Sequence, residues 1–287
     1  MTVRNPIEWG ADQIRFAAHA VEDASHAVYH RDENVDALRP AIHKITAADL
    51  RDAMVKGFAD FGAYRSDVFF LCVLYPIIGV ILERLAFGYE MVPLLFPIAS
   101  GFALIGPFAA TGLYEMSRRH ERGDAVRWSD AFGVFSSKSF GAITVLGVMM
   151  VGLYVAWLFA AEAIYSITLG PKPPVSIQAF TQEVFTTSAG WVMIIVGMGV
   201  GFLFAVMAMA MSVVAFPLLL DREVGVDTAI WTSIWAVVAN PVPMALWGVM
   251  VTVALLLGAL PFFAGLIVVL PVLGHATWHL YRHLVPR

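Results

Sequence analysis

The sequence has few charges and almost no cysteine. Only 14% of its 287 residues are charged, whereas 59% are hydrophobic, and the mean hydropathy is +0.75. Soluble domains carry about a quarter charged residues, so this composition excludes an ordinary soluble protein. The one cysteine, Cys72, excludes a disulfide framework or a cysteine-based zinc site within a single chain. Composition therefore indicates a membrane protein.

Other signals are also missing from the sequence. The first 65 residues are polar to amphipathic and lack the early apolar segment of a secretory signal. No nucleophile–base pair and no phosphate-binding loop stands out, so we predict no catalytic residues and no enzymatic activity. The net charge of −4 gives no indication of a nucleic-acid partner.

The segment from Met91 to Gly123 organises the chain. It carries no charge up to Tyr114, and a cationic block that begins at Arg118 follows. As a helix, the apolar part is about 36 Å long, enough to cross a hydrocarbon core of about 30 Å. Because Lys and Arg are retained in the cytoplasm, this segment is predicted to cross the membrane from outside to inside.

The other apolar runs predict five further spans and an all-α membrane protein. The six transmembrane helices would form three hairpins, each preceded by a cytoplasmic amphipathic helix that begins near Thr46, Arg127 or Val226. That order amounts to a direct internal repeat, and Pro217 is predicted to kink the fourth span. The predicted spans cover about residues 68–87, 91–114, 140–161, 191–220, 241–260 and 261–281.

The positive charges predict the orientation. Sixteen of the 18 Lys and Arg residues fall on one side of these spans. The chain is therefore predicted to be a multi-pass protein of the bacterial inner membrane with both termini in the cytoplasm. Residues 1–44 are interpreted as an amphipathic N-terminal segment and residues 45–287 as the transmembrane domain. The expected partners are the lipid bilayer and a larger membrane complex or a second copy of the chain.

The helix that begins near Thr46 is predicted to lie in the membrane interface. Its start resembles a capping box, and its apolar residues share one face. The apolar face comprises Leu50, Met54, Gly57, Phe58 and Phe61, and the charged face comprises Arg51, Asp52, Lys56 and Asp60.

Three histidines near the C-terminus share one helical face, because His275, His279 and His283 recur at i, i+4 and i+8. Imidazoles at this spacing can share a metal, or one can bind haem iron, with Glu115 as a carboxylate from another helix. The plainer interpretation is a set of interfacial histidines without a cofactor. In that case His275 should be neutral and hydrogen-bonded to a hydroxyl or carboxylate of a neighbouring helix.

Glu115 precedes Arg118 and Arg119 by three and four residues. Residues at these spacings are neighbours on a helix surface, so an exposed ion pair at the headgroup boundary is the structural interpretation. The functional one is a proton or cation site that faces the bundle.

Two long phrases carry a resemblance to a known family. LLFPIASGFALIGPFAATGLYEMSRRHERG (residues 94–123) and GHATWHLYRH (residues 274–283) resemble a bacterial family of integral membrane proteins that is classed only as a domain of unknown function. The resemblance runs from about Ile45 to the C-terminus. It implies a six-helix inner-membrane protein and assigns no functional residues.

Two functions remain open from the sequence. The first is a non-enzymatic scaffold, assembly factor or accessory subunit of a membrane complex that docks through its amphipathic helices. The second is a small transporter, or a protein that handles metal or haem with the face of His275 and His279.

Overall fold

The computed structural model describes residues 40–63, 92–260 and 264–286 of the chain. This part of the chain contains helices and no β-strand. Short 3-10 helices lie at Val92–Leu94 and Trp128–Ser136. The α-helices are α1 (Ala47–Ala63), α2 (Leu95–Ala109), α3 (Thr111–Glu121), α4 (Phe140–Thr168), α5 (Ile177–Thr186), α6 (Ser188–Ser212), α7 (Ala215–Asp221), α8 (Val226–Ala239), α9 (Pro241–Ala259) and α10 (Leu266–Leu284).

Four helical stretches of the described chain are long and apolar enough to cross a membrane. They coincide with the second to fifth predicted spans, so the all-helical membrane class is confirmed. The first predicted span and residues 1–39 of the predicted amphipathic N-terminal segment lie outside the described residues. Helix α10 covers most of the sixth predicted span, but its second half is too polar for it to count among the four apolar stretches. Six spans in three hairpins therefore remain a prediction. The four stretches are Val92–Glu121, Phe140–Thr168, Ser188–Asp221 and Pro241–Ala259.

The predicted kink near Pro217 is confirmed by a break between α6 and α7. Helix α6 ends at Ser212 and α7 begins at Ala215. A proline inside a helix clashes with the carbonyl four residues earlier, here that of Val213. The backbone N–H of Val214 donates instead to Ser233 Oγ on α8, at 3.1 Å. The break therefore ties the fourth span to the next helix.

The connection between the third and fourth predicted spans contains the further helix α5. Ser176 caps the helix, because its Oγ accepts the N–H of Ala179 at 3.0 Å. A serine in this position is a standard N-terminal helix signal that the proline-rich surroundings obscured.

Helix α1 packs along α10 in the opposite direction. Asp52 lies beside His283, whereas Gly57 lies against Ala276 and Val272, about two and three turns earlier in α10. A Cβ atom at residue 57 would lie 2.7 Å from Ala276 and 2.8 Å from the carbonyl oxygen of Val272. The close approach of the two backbones therefore depends on glycine at this position.

The face that α1 buries differs in part from the predicted one. Leu50 and Gly57 are buried as expected, but Phe58 is 54% exposed and Asp60 is only 3% exposed. Small residues on the buried face let α1 approach α10 closely, so the large apolar side chain of Phe58 is turned outward. Whether α1 and the helices at 128–136 and 226–239 lie on a membrane surface stays a prediction.

The segment before α1 is also fastened to the bundle. Asn240, between α8 and α9, is 2% exposed and accepts the backbone N–H of Ile45 at 2.9 Å. Its amide nitrogen donates to the carbonyl oxygen of His43 at 3.1 Å. Contacts with the bundle therefore occur on both sides of the predicted boundary between residues 44 and 45.

The apolar core lies where α3, α4, α7 and α10 meet. Tyr114, Leu146, Phe216 and Trp278 are almost completely buried there. Helix α6 is different, because most of its large apolar side chains are exposed. An outward apolar surface on a helix of this length is what a bilayer requires.

Candidate functional site

A buried carboxylate joins three helices at the end of the bundle where α3 and α10 are polar. Asp60 of α1 lies within hydrogen-bond distance of Ser117 and His120 of α3 and of His279 of α10. The distances are 2.6 Å to Ser117 Oγ, 2.7 Å to His120 Nδ1 and 2.9 Å to His279 Nε2. We call these residues, together with His275, the Asp60 cluster.

The direction of each hydrogen bond follows from the charge of Asp60. An ionised carboxylate only accepts, so His120 Nδ1, His279 Nε2 and Ser117 Oγ must each donate to it. Ser117 has one hydrogen, and it is used. Its oxygen therefore accepts from His275 Nδ1, which lies 2.8 Å away. The predicted hydroxyl partner of His275 on a neighbouring helix is confirmed as Ser117.

The cluster favours the ionised form of Asp60. Burial by itself would raise the pKa of this carboxyl, but the hydrogen bonds from His279, Ser117 and His120 together outweigh burial and lower the pKa to about 2. Hydrogen bonds donated to the ionised form of a carboxyl stabilise that form. Asp60 therefore stays negative at neutral pH although almost no solvent reaches it.

The third histidine of the stripe continues the same contact nearer the C-terminus. His283 Nε2 lies 2.8 Å from Asp52, and its Nδ1 lies 3.6 Å from Asp49. Both carboxylates belong to α1. Two histidines of this face of α10, His279 and His283, therefore contact carboxylates of α1, whereas His275 contacts Ser117 of α3.

Glu115 forms the predicted pairs, but in a buried position. Its two carboxylate oxygens accept from Arg118 Nε at 2.7 Å and from Arg119 Nε at 2.8 Å. The residue is 2% exposed, and Arg119 also reaches Asp130 at 3.1 Å. The Glu115 carboxylate is therefore buried beneath two partly exposed arginines, and the contact is not the fully exposed ion pair that spacing alone suggested.

The Asp60 cluster contains the residue types of a serine hydrolase in a different order. A nucleophilic serine needs histidine between its hydroxyl and the carboxylate, so that the histidine can take the proton. Here the hydroxyl of Ser117 contacts Asp60 directly, and His275 donates to Ser117. His275 is 0% exposed. Ser117, His275 and Asp60 are therefore not connected in the order of that triad.

Each candidate metal ligand is bound to a different partner within the protein. His279 is bonded to Asp60, His275 to Ser117, and Glu115 to two arginines. Within residues 40–63, 92–260 and 264–286, no three His, Cys, Asp or Glu side chains are arranged to hold a metal ion. A shared metal would require these side chains to exchange their present hydrogen bonds for metal bonds.

With this geometry in place, the comparison with protein families identifies one segment. Residues 95–221 match the family described as predicted integral membrane protein (DUF2189). No curated protein and no solved structure matches the chain at a significant level. The suspected family is therefore confirmed for this segment, and the wider resemblance from Ile45 to the C-terminus stays a prediction.

The DUF2189 match divides the Asp60 cluster. Ser117 and His120 lie inside the matched residues, whereas Asp60, His275 and His279 lie outside them. The sequence interpretation singled out His275 and His279, but it missed Ser117 and His120 and assigned Asp60 to the charged face of α1. The available signal was the small residues Ala53 and Gly57 that precede Asp60 on the same face of α1.

Proposed function

We propose that this protein is a non-enzymatic integral membrane protein that acts as a scaffold, assembly factor or accessory subunit of a membrane complex. The observation that supports this most is the closure of the Asp60 cluster. Both oxygens of Asp60 are occupied by side chains from α3 and α10. A buried polar group whose partners all come from the protein stabilises an arrangement of helices and needs no ligand. No cofactor is part of this proposal.

The proposal gives α1 a specific role. The Asp60 cluster fixes one face of the helix to the bundle, while Val55 and Phe58 stay 58% and 54% exposed on another face. Such a rigid helix presents these apolar side chains in a constant position. We infer that a helix of a partner subunit packs against Val55 and Phe58. The distribution of Lys and Arg favours a bacterial inner-membrane protein with both termini in the cytoplasm. This contact then lies on the cytoplasmic side of the membrane.

Site-specific photo-crosslinking tests this function in cells. The photoreactive residue p-benzoylphenylalanine is placed at Phe58 and, as a matched control, at Val249, which is 57% exposed on the apolar helix α9. We expect one discrete protein adduct from position 58 and none from position 249. The adduct should weaken when Asp60→Asn is added, because the cluster positions α1. Absence of any protein adduct at position 58 contradicts the proposal.

A second function has its own observation in favour of it. Hydrogen bonds run without a gap from His120, whose side chain is 47% exposed, through Asp60 and Ser117 to the fully buried His275. Chains of ionisable groups inside membrane proteins often relay protons. This favours a small proton-coupled transporter over a protein that handles metal or haem, because His275 and His279 already have hydrogen-bond partners.

Proton flux distinguishes the two functions. The protein is reconstituted into liposomes with an imposed pH gradient and an internal pH-sensitive dye. The scaffold proposal predicts the same decay of the gradient as in protein-free liposomes. A faster decay that disappears in Asp60→Asn, while the variant stays folded, supports the transporter and contradicts the scaffold.

A further inference from the structure

An open groove lies beside α3, on the opposite side from the Asp60 cluster. It encloses about 390 Å³. Two of the four apolar stretches, Val92–Glu121 and Ser188–Asp221, end in residues of its wall. A helix of thirty residues is about 45 Å long, close to the thickness of a bilayer with its headgroups. The groove therefore lies at the depth of lipid headgroups. Its lining residues are Arg118, Glu121, Arg122, Asp221 and Arg222.

The two carboxylates of the groove are held from behind by side chains of α10. Glu121 accepts from Trp278 Nε1 at 3.1 Å and from Arg282 Nε at 3.1 Å. Asp221 accepts from the Tyr281 hydroxyl at 2.9 Å and from Arg282 Nη1 at 3.3 Å. One guanidinium thus serves both acids. Arg282 offsets one of the two negative charges, and with Arg122 and Arg222 the charges of the groove still sum to a net positive value.

The arginines of the groove differ in how many of their N–H donors bind other groups of the protein. Arg118 is used within the protein, because it binds Glu115 and donates to the carbonyl oxygen of Leu220. Arg222 donates to the carbonyl oxygen of Pro286 at 2.7 Å, and no acidic group of the described residues lies within 4 Å of its guanidinium. Among the described carboxylates, Asp221 of the same groove lies nearest to Arg122, at the long distance of 4.0 Å. Each guanidinium has five N–H donors, so both arginines can bind an anion.

We propose that this groove binds the phosphate of an anionic lipid headgroup through Arg122 and Arg222. Two planar guanidinium groups match the oxygens of a phosphate and form charge-assisted hydrogen bonds with it. The depth of the groove favours a lipid over a soluble phosphate, although the chemistry of recognition is shared. This inference is independent of the proposed scaffold function, since it uses neither α1 nor the Asp60 cluster.

Native mass spectrometry of the full chain in an uncharged detergent tests the site. The probes are phosphatidylglycerol, phosphatidylcholine and the water-soluble anion glycerol phosphate. We expect phosphatidylglycerol to bind best, and Arg122→Gln and Arg222→Gln each to weaken it about tenfold or more, as the loss of charged hydrogen bonds implies. Arg127→Gln is the matched control, because Arg127 is exposed and lies outside the groove. It should bind as the unchanged protein does.

The outcomes separate the two sources of phosphate. Equal binding of glycerol phosphate and phosphatidylglycerol, with the same dependence on both arginines, supports the phosphate site and overturns its assignment to a lipid. Phosphatidylglycerol binding that neither Arg122→Gln nor Arg222→Gln changes overturns the site, and so does the absence of binding by every probe. If a variant does not fold, the unchanged protein decides, because equal affinity for phosphatidylglycerol and phosphatidylcholine also overturns the proposal.

Discussion

Helix α3 carries polar residues on two sides. On one side their hydrogen bonds are made within the protein, and on the other they face an open groove. On one side, Ser117 is fully buried and His120 completes a closed set of hydrogen bonds around Asp60. On the other, Arg122 borders an open groove. A buried charge is tolerated only when protein groups replace its water, so the closed side is fixed in structure. The open side keeps donors that an outside anion can use.

The largest expected effect comes from removing the centre of the closed side. Asp60→Ala leaves three donors, Ser117, His120 and His279, without their acceptor, and breaking a buried charged contact costs about 3–5 kcal/mol. The free energy of unfolding, measured by denaturation in detergent micelles, should fall by that amount. Asp124→Ala is the matched control, because Asp124 is exposed. A loss below about 1 kcal/mol, the range of surface pairs, contradicts a structural role for the cluster.

Acid should weaken the closed side next. The folded-state pKa of Asp60 is about 2, below the value of about 3.9 for an unfolded Asp. A lowered folded-state pKa contributes stability that is complete above the unfolded value and is lost as the pH falls through the folded value. Between pH 5 and pH 2 the free energy of unfolding should fall by about 2–3 kcal/mol through this group, at about 1.4 kcal/mol per pKa unit. Asp60→Asn should lack this component. Identical pH profiles of the unchanged protein and Asp60→Asn would contradict a lowered pKa of Asp60 in the folded state.

Glu115 tests whether burial also governs the ion pairs of α3. An exposed pair contributes at most about 1 kcal/mol, but Glu115 is 2% exposed and binds two arginines. Glu115→Gln should therefore lower the free energy of unfolding by about 1.5–3 kcal/mol, the range for hydrogen bonds to charged groups. The same denaturation measurement checks this, and a loss within the surface range means that solvent reaches the pair.

Two glycines of α1 offer the smallest comparison, with effects of opposite sign. Gly57→Ala places a Cβ atom 2.7 Å from Ala276, and overpacking of this kind costs about 1–3 kcal/mol. Gly62→Ala meets nothing within 4 Å and should stabilise the helix by up to about 1 kcal/mol. Thermal unfolding of the two variants measures the difference. Stabilisation by both substitutions means that α1 does not pack closely on α10.

Local signals were enough to predict part of this structure. Apolar runs gave four of the helical stretches, Pro217 gave the break between α6 and α7, and the spacing of Glu115 gave its pairs with Arg118 and Arg119. Each of these depends on residues within a few turns of one helix. The hydroxyl partner of His275 was predicted in kind, but its identity, Ser117, was not.

Contacts between distant residues were not predictable in the same way. Asp60 and His279 are 219 positions apart, and helical periodicity alone placed Asp60 among charged, solvated residues. Asp60 is buried by the packing of α1 against both α10 and α3. The groove was missed for the same reason, because α3 and α7 bring Arg122 and Arg222 together from separate parts of the chain.

The most direct test of the closed cluster is a double-mutant cycle between Asp60 and His279. The free energies of unfolding of Asp60→Asn, His279→Ala, the double variant and the unchanged protein are measured in the same detergent at neutral pH. Residues in one hydrogen-bond network show coupling energies of about 0.5–3 kcal/mol, and we expect a stabilising value in the upper half of that range. Additive effects, with no coupling, would contradict a structural joint between α1 and α10 at Asp60.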